Sequence, residues 1–176
     1  MSTFKELGLS DGILRVLEEM EFDSPTDIQQ EAIPQLIGGD RDFIGLAQTG
    51  TGKTAAFGLP LLEMIDPQEK HTQALVLAPT RELGRQIAEQ LGKFSKYVKG
   101  LKVLPVYGGA AIMNQIKDLK KPTHIIIATP GRLIDLIKRK AVKLDQLKFL
   151  VLDEADEMVS MGFKEELDEI LSYTPE

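Results

Sequence analysis

LAQTGTGKTAAF, residues 46–57, sets two glycines, three threonines and a lysine between an apolar run and a helix-forming one. A plain connector has no need of that composition. Gly50 and Gly52 permit backbone conformations that a Cβ would obstruct, so successive N–H groups can turn inward around an anion. Lys53 adds a mobile positive charge and Thr54 a hydroxyl. Together these are the parts of a phosphate-binding loop, in which amides and a helix N-terminus hold the phosphates, the lysine reaches the terminal ones and the hydroxyl meets Mg²⁺. The stretch departs from G-x-x-x-x-G-K-[ST] at one point: Ala47 stands in the first position, and Gly45 lies two residues out of register. On G-K-T alone a flexible glycine turn remains the other reading. The flanks favour the phosphate loop, because DFIGL (42–46) suits a buried strand and KTAAFGLPLLEMI (53–65) has helical spacing, with Gly58 and Pro60 expected to weaken or kink it.

Outward from this stretch, apolar runs alternate with longer amphipathic ones. The strand candidates are DFIGL (42–46), ALVLA (74–78), KVLPVY (102–107), HIIIA (124–128) and FLVLD (149–153), and residues 81–98, 110–120 and 131–140 carry helical periodicity. Strands that are apolar throughout, rather than alternating, are buried on both faces. The expectation is an α/β domain with a parallel sheet flanked by helices and joined by right-handed crossovers. Each strand is followed by its own polar segment: AQTGTGKT (47–54), PTREL (79–83), GGA (108–110), TPGR (129–132) and DEAD (153–156). In a parallel sheet these segments share the edge where ligands of open α/β sheets bind.

The chain has 176 residues, no cysteine and two histidines, His71 and His124, which excludes thiol nucleophiles and disfavours a zinc site. The lack of cysteine fits a reducing, cytoplasmic setting. Neither a secretion signal nor an apolar run approaching the ~18 residues of a membrane span is visible, so a soluble protein without membrane partners is expected. The net charge of −6 argues against nucleic-acid binding by bulk electrostatics, so any such site must be local. The densest basic cluster, KRKAVK (138–143), reads equally as a solvated helix end.

FLVLDEAD (149–156) runs four apolar residues into Asp153 and Glu154. Alone it could be a solvated helix start. Paired with a phosphate loop, Asp153 can hold Mg²⁺ directly or through water, and Glu154 can polarise the water that attacks a terminal phosphate. Upstream, the amide of Gln29 in EFDSPTDIQQEAIP (21–34) offers a donor and an acceptor side by side, matching adenine N6 and N7 but not guanine. Phe22 could stack on the base. The plainer readings are a core phenylalanine and a helix-surface glutamine.

With these motifs in order, the chain resembles the amino-terminal RecA-like domain of a DEAD-box ATP-dependent RNA helicase, of the bacterial cold-shock or ribosome-assembly kind. The resemblance spans nearly the whole chain and implies a three-layer α/β P-loop fold, with a glutamine-motif segment at 1–34 packed on a RecA-like core at 35–176. Phe4 resembles the family's isolated upstream aromatic, FDSPTDIQ (22–29) its adenine motif, and MGF (161–163) also fits. Alanine at position 47 is normal in the family. The nucleotide set it implies is Phe22, Thr26, Gln29, Ala47, Gln48, Thr49, Gly50, Thr51, Gly52, Lys53 and Thr54, with ATP and Mg²⁺ as cofactors, the metal on Thr54 and Asp153 partly through water, and catalysis by Lys53, Asp153 and Glu154. The RNA-backbone set is Pro79, Thr80, Arg81, Gly108, Gly109, Thr129, Pro130, Gly131 and Arg132, the prolines and glycines shaping the loops. Amides, hydroxyls and arginines of this kind contact phosphates and 2′-OH groups without reading sequence. Arg81 and Arg132 could instead pair with Glu82 or Asp135. In the family a second RecA-like domain supplies transition-state arginines and partners for Asp156. A monomeric fragment ending at LSYTPE (171–176) is therefore expected to bind adenine nucleotide but to hydrolyse it negligibly and to unwind little alone. The alternative is a non-catalytic, nucleotide-gated RNA clamp.

Overall fold

The computed structural model describes residues 3–176, which form two compact units: one comprises the chain up to Asp66 with Gln90–Gly100, the other Pro67–Glu89 with Leu101–Glu176. The first unit is helical. A 3₁₀ turn (Phe4–Leu7) precedes α1 (Asp11–Glu19), α2 (Asp27–Gly38) and α3 (Lys53–Met64). Ile13, Val16 and Leu17 of α1, Ala32 and Ile33 of α2, and Leu59, Leu61 and Leu62 of α3 are buried. Despite Gly58 and Pro60, α3 runs unbroken, because its middle from Gly58 to Leu62 is wholly buried and packing outweighs intrinsic propensity. Gly58 has a packing role: a Cβ there would overlap the Leu91 side chain.

The second unit contains the sheet. Strands β1 (Ala74–Leu77), β2 (Val103–Val106), β3 (Ile125–Ala128) and β4 (Phe149–Leu152) are all parallel, in the spatial order β2-β3-β1-β4. The central pair, β1 and β3, is buried at every residue, as continuous apolar runs require. The outer pair is partly exposed, and Pro105 lies in outer strand β2, where its missing N–H need not break a ladder. Helices α5 (Ile112–Leu119), α6 (Pro130–Lys138), α7 (Ala155–Ser160) and α8 (Lys164–Leu171) follow the strands, and α4 (Arg81–Phe94) contributes residues to both units. Leu75, Leu77, Ile126 and Ala128 share one core with Leu133, Leu136, Met158, Leu167 and Ile170. On the opposite face Ile127 meets α4 at Gly84, 3.8 Å from the position a Cβ would occupy. Helices thus cover both faces of the sheet.

One expected strand is not formed. Residues 42–46 have no regular structure, and Ile44 and Leu46 are 89% and 93% exposed. An apolar run becomes a strand only when its backbone finds a ladder, and this segment pairs with none of the four strands. Phe43 folds back beside Gly45, where an added Cβ would sit 3.0 Å from its ring and 3.6 Å from Ile28. No helix among the described residues is long and apolar enough to cross a membrane.

Candidate nucleotide and RNA sites

In the helical unit, the 47–54 loop ends in two left-handed glycines, Gly50 and Gly52, each at φ 82°. A side chain at either would cost about 1–2 kcal/mol, so the glycines are required by conformation. Gly52 is the N-cap of α3 and Lys53 its first residue, which sets the amides of the loop at a helix N-terminus. Thr51 Oγ1 donates to the Gln48 carbonyl at 2.6 Å, tightening the turn.

The glutamine-motif residues grip this loop. Thr26 Oγ1 donates to the Thr51 carbonyl (2.9 Å), and Gln29 Nε2 donates to the Gly52 carbonyl (3.1 Å). Gln29 Oε1 accepts the Thr26 N–H at 3.0 Å, the capping arrangement that starts α2. Gln29 is therefore no helix-surface residue; it is 2% exposed. A Cβ on Gly52 would overlap the Gln29 amide, a second reason for glycine there. Each half of the Gln29 amide retains one further hydrogen-bonding position, since an amide carries two N–H groups and two lone pairs. Phe22 packs between Phe4 (ring centroids 6.3 Å apart) and Phe94 (5.9 Å, edge-on).

In the sheet unit the strands are in register, Leu77 lying beside Ala128 and Leu152, and Val106 beside Ala128. Four of the five polar segments therefore leave the same edge. The ladder continues into them: the Asp153 N–H donates to the Leu77 carbonyl at 3.0 Å and the Thr129 N–H to that of Val106 at 3.2 Å. Asp153 is 8% exposed. Glu154 caps α7 in the left-handed region (φ 52°, ψ 50°), uncommon for a side-chain-bearing residue and a form of strain concentrated at functional sites. No cluster of three or more metal-ligating side chains occurs among the described residues.

Thr80 caps α4, its Oγ1 accepting the Leu83 N–H at 3.2 Å, and Thr129 precedes Pro130 at the start of α6. Arg81 reaches Glu82 at 3.3 Å, as the structural alternative anticipated. The Glu82 carboxyl is held below its usual range, mainly by a backbone hydrogen bond from its own N–H and also by Arg81. The Arg81 guanidinium also lies against Gly109, where a Cβ would sit 2.9 Å from Nη1. Arg132 does not pair with Asp135, which bonds Arg139 at 3.1 Å. Its Nη1 instead donates to the Ala110 carbonyl (2.9 Å) and to Gln115 Oε1 (3.0 Å). Sequence reading missed Gln115 altogether; one glutamine on an amphipathic helix carries no distinguishing signal. The 138–143 cluster behaves as a helix end: Lys138 pairs with Glu169 at 2.9 Å, which raises the lysine pKa, and Arg139 with Asp135.

Residues 26–176 match the family model described as DEAD/DEAH box helicase. The chain is 53% identical over its full length to the DEAD-box ATP-dependent RNA helicase CshA of Bacillus cereus, covering 33% of that protein. It is 47% identical over 174 residues (99% of the chain) to the ATP-dependent RNA helicase DeaD of Haemophilus influenzae, covering 28% of it. Among solved structures it is similar to a DEAD box protein from the hyperthermophile Methanococcus jannaschii, with a TM-score of 0.93 and 41% identity over 98% of this chain and 47% of that one. The chain thus spans about a third of the length of the curated relatives it matches.

Proposed function

This chain belongs to the DEAD/DEAH box helicase family, and from that premise we propose that it supplies the ATP-binding and RNA-binding parts of an ATP-dependent RNA helicase. The observation that carries the reading is the shared edge of the in-register sheet. From it emerge Thr80 and Arg81, Gly109, Thr129 and Arg132, and the carboxylates Asp153 and Glu154. Hydroxyls, amides and one partly free arginine there suit the sugar–phosphate backbone of an RNA strand, read by shape and not by sequence.

The division of labour follows from the residues. The amides of the 47–54 loop and the start of α3 receive the phosphates of ATP, and Lys53 neutralises the terminal ones. Gln29, whose amide has one donor and one acceptor position left, reads adenine. Asp153 at the tip of β4 would hold Mg²⁺, which when bound would neutralise charge developing on the phosphates. Glu154 accepts a proton from the attacking water and orients it. Its carboxylate supports the enzyme reading over the passive clamp, because a clamp needs no group to activate water.

Hydrolysis and unwinding belong to the longer protein, in which a second RecA-like domain completes the site. An arginine supplied by another domain is worth about 10³–10⁵ in phosphoryl-transfer rate, so residues 1–176 alone should turn over ATP negligibly. The test is Glu154→Gln in the full-length protein. Retained ATP-dependent RNA binding with hydrolysis abolished supports the enzyme. Hydrolysis at the unaltered rate sinks it, as would robust RNA-stimulated turnover by this chain alone for the two-domain scheme.

A further inference from the structure

Tyr107–Ala110 is a turn built around two consecutive glycines. Gly109 stands at φ 82°, and nothing lies within 4 Å of the position a Gly108 Cβ would take. Glycine loses more conformational freedom on ordering than any other residue, and Gly108 and Gly109 bring no side chains with which to hold the middle of the turn. Its two ends are nonetheless fixed. Gln115 Nε2 donates to the Tyr107 carbonyl at 3.1 Å, and Arg132 Nη1 donates to the Ala110 carbonyl at 2.9 Å. The same Nη1 donates to Gln115 Oε1 at 3.0 Å, which joins the two attachments into one ring of hydrogen bonds. Gln115 is 7% exposed, so its polar atoms have exchanged water for these partners.

We propose that Gln115 is a positioning residue for RNA: it shapes the Tyr107–Ala110 turn and fixes Arg132, so that Gly109 and the Arg81 guanidinium resting on it are ordered before the strand arrives. The inference rests on the RNA reading of this edge. Its physical content is preorganisation, since a glycine turn ordered beforehand need not be ordered at the expense of binding energy. Only an amide serves both attachments. A carboxylate at 115 would keep Arg132 but offer the Tyr107 carbonyl no donor, and methionine would fill the same volume and offer neither.

In the full-length protein, binding of a fluorescein-labelled oligouridylate is measured in the presence of a non-hydrolysable ATP analogue, with ADP affinity and backbone amide exchange at 108–110 followed in parallel. Gln115→Met should weaken RNA binding about tenfold, as loss of two buried hydrogen bonds implies, with Gln115→Glu intermediate. ADP affinity should be unchanged and exchange at 108–110 faster. Arg81→Ala serves as the control for the site itself. If Arg81→Ala weakens RNA binding while Gln115→Met does not, the proposal falls and the RNA site stands. If neither variant weakens it, the RNA reading fails and the proposal with it. If Gln115→Met loses ADP and RNA affinity together, Gln115 is merely a folding residue and the proposal is overturned.

Discussion

Truncating Gln29 to alanine separates two roles that the structure gives one amide. Within the protein it removes the bond to the Gly52 carbonyl and the bond from the Thr26 N–H, at 3.1 and 3.0 Å. Each is worth about 1 kcal/mol net, and both lost partners are at least partly shielded from water, so urea denaturation should show a stability loss of about 2–3 kcal/mol. If the amide also reads adenine, ADP binding falls by a further ~1–3 kcal/mol, the discrimination expected of a bidentate base contact. Calorimetric titration of the variant with ADP, GDP and tripolyphosphate distinguishes the roles. Loosening of the loop weakens all three ligands alike, whereas loss of base readout weakens ADP alone and narrows its advantage over GDP. An unchanged ADP-to-GDP ratio would refute base reading and leave Gln29 as the anchor of the phosphate loop. An unchanged denaturation midpoint would refute the anchoring energetics.

Other perturbations test single features. Glu154→Gly should raise stability by about 1 kcal/mol, because glycine tolerates φ 52° freely, while abolishing hydrolysis in the full-length protein; a destabilised variant would show that the strain is illusory. Gly109→Ala, with φ 82° and a Cβ 2.9 Å from Arg81 Nη1, should cost about 1–2 kcal/mol in thermal unfolding and weaken RNA binding, whereas no thermal shift would contradict the left-handed turn. Glu19 accepts hydrogen bonds from Lys96 and Tyr97, both at 2.5 Å, and these hold its carboxyl below its ordinary value of 4.5. A depressed carboxylate adds stability that is present above pH 4.5 and lost as pH falls through the folded pKa, so Glu19→Gln should be less stable than the parent at neutral pH and converge with it in acid. A constant gap between the two denaturation curves across that range would contradict the assignment.

What could be read without a structure was what is encoded locally. Gly50 and Gly52 stand where the chain must turn left-handed, and that demand is local to each residue's own backbone. ALVLA and HIIIA announce buried strands, because a parallel sheet covered on both faces asks for nothing but apolar residues, and they became the fully buried β1 and β3. The apolar stretch at 42–46 did not, since strand formation depends on a backbone partner that the segment's own composition does not specify. Order within the sheet was likewise invisible: the strand first in sequence, β1, lies between β3 and β4, and only pairing decides that. The arginines show the same limit. Arg132 has Asp135 close by in sequence yet bonds Ala110 and Gln115, 22 and 17 residues away. Residue type and spacing thus determined the chemistry on offer, while tertiary structure decided which groups are spent holding the loops and which remain for a ligand, because hydrogen bonds are directional and their partners come from strands distant along the chain.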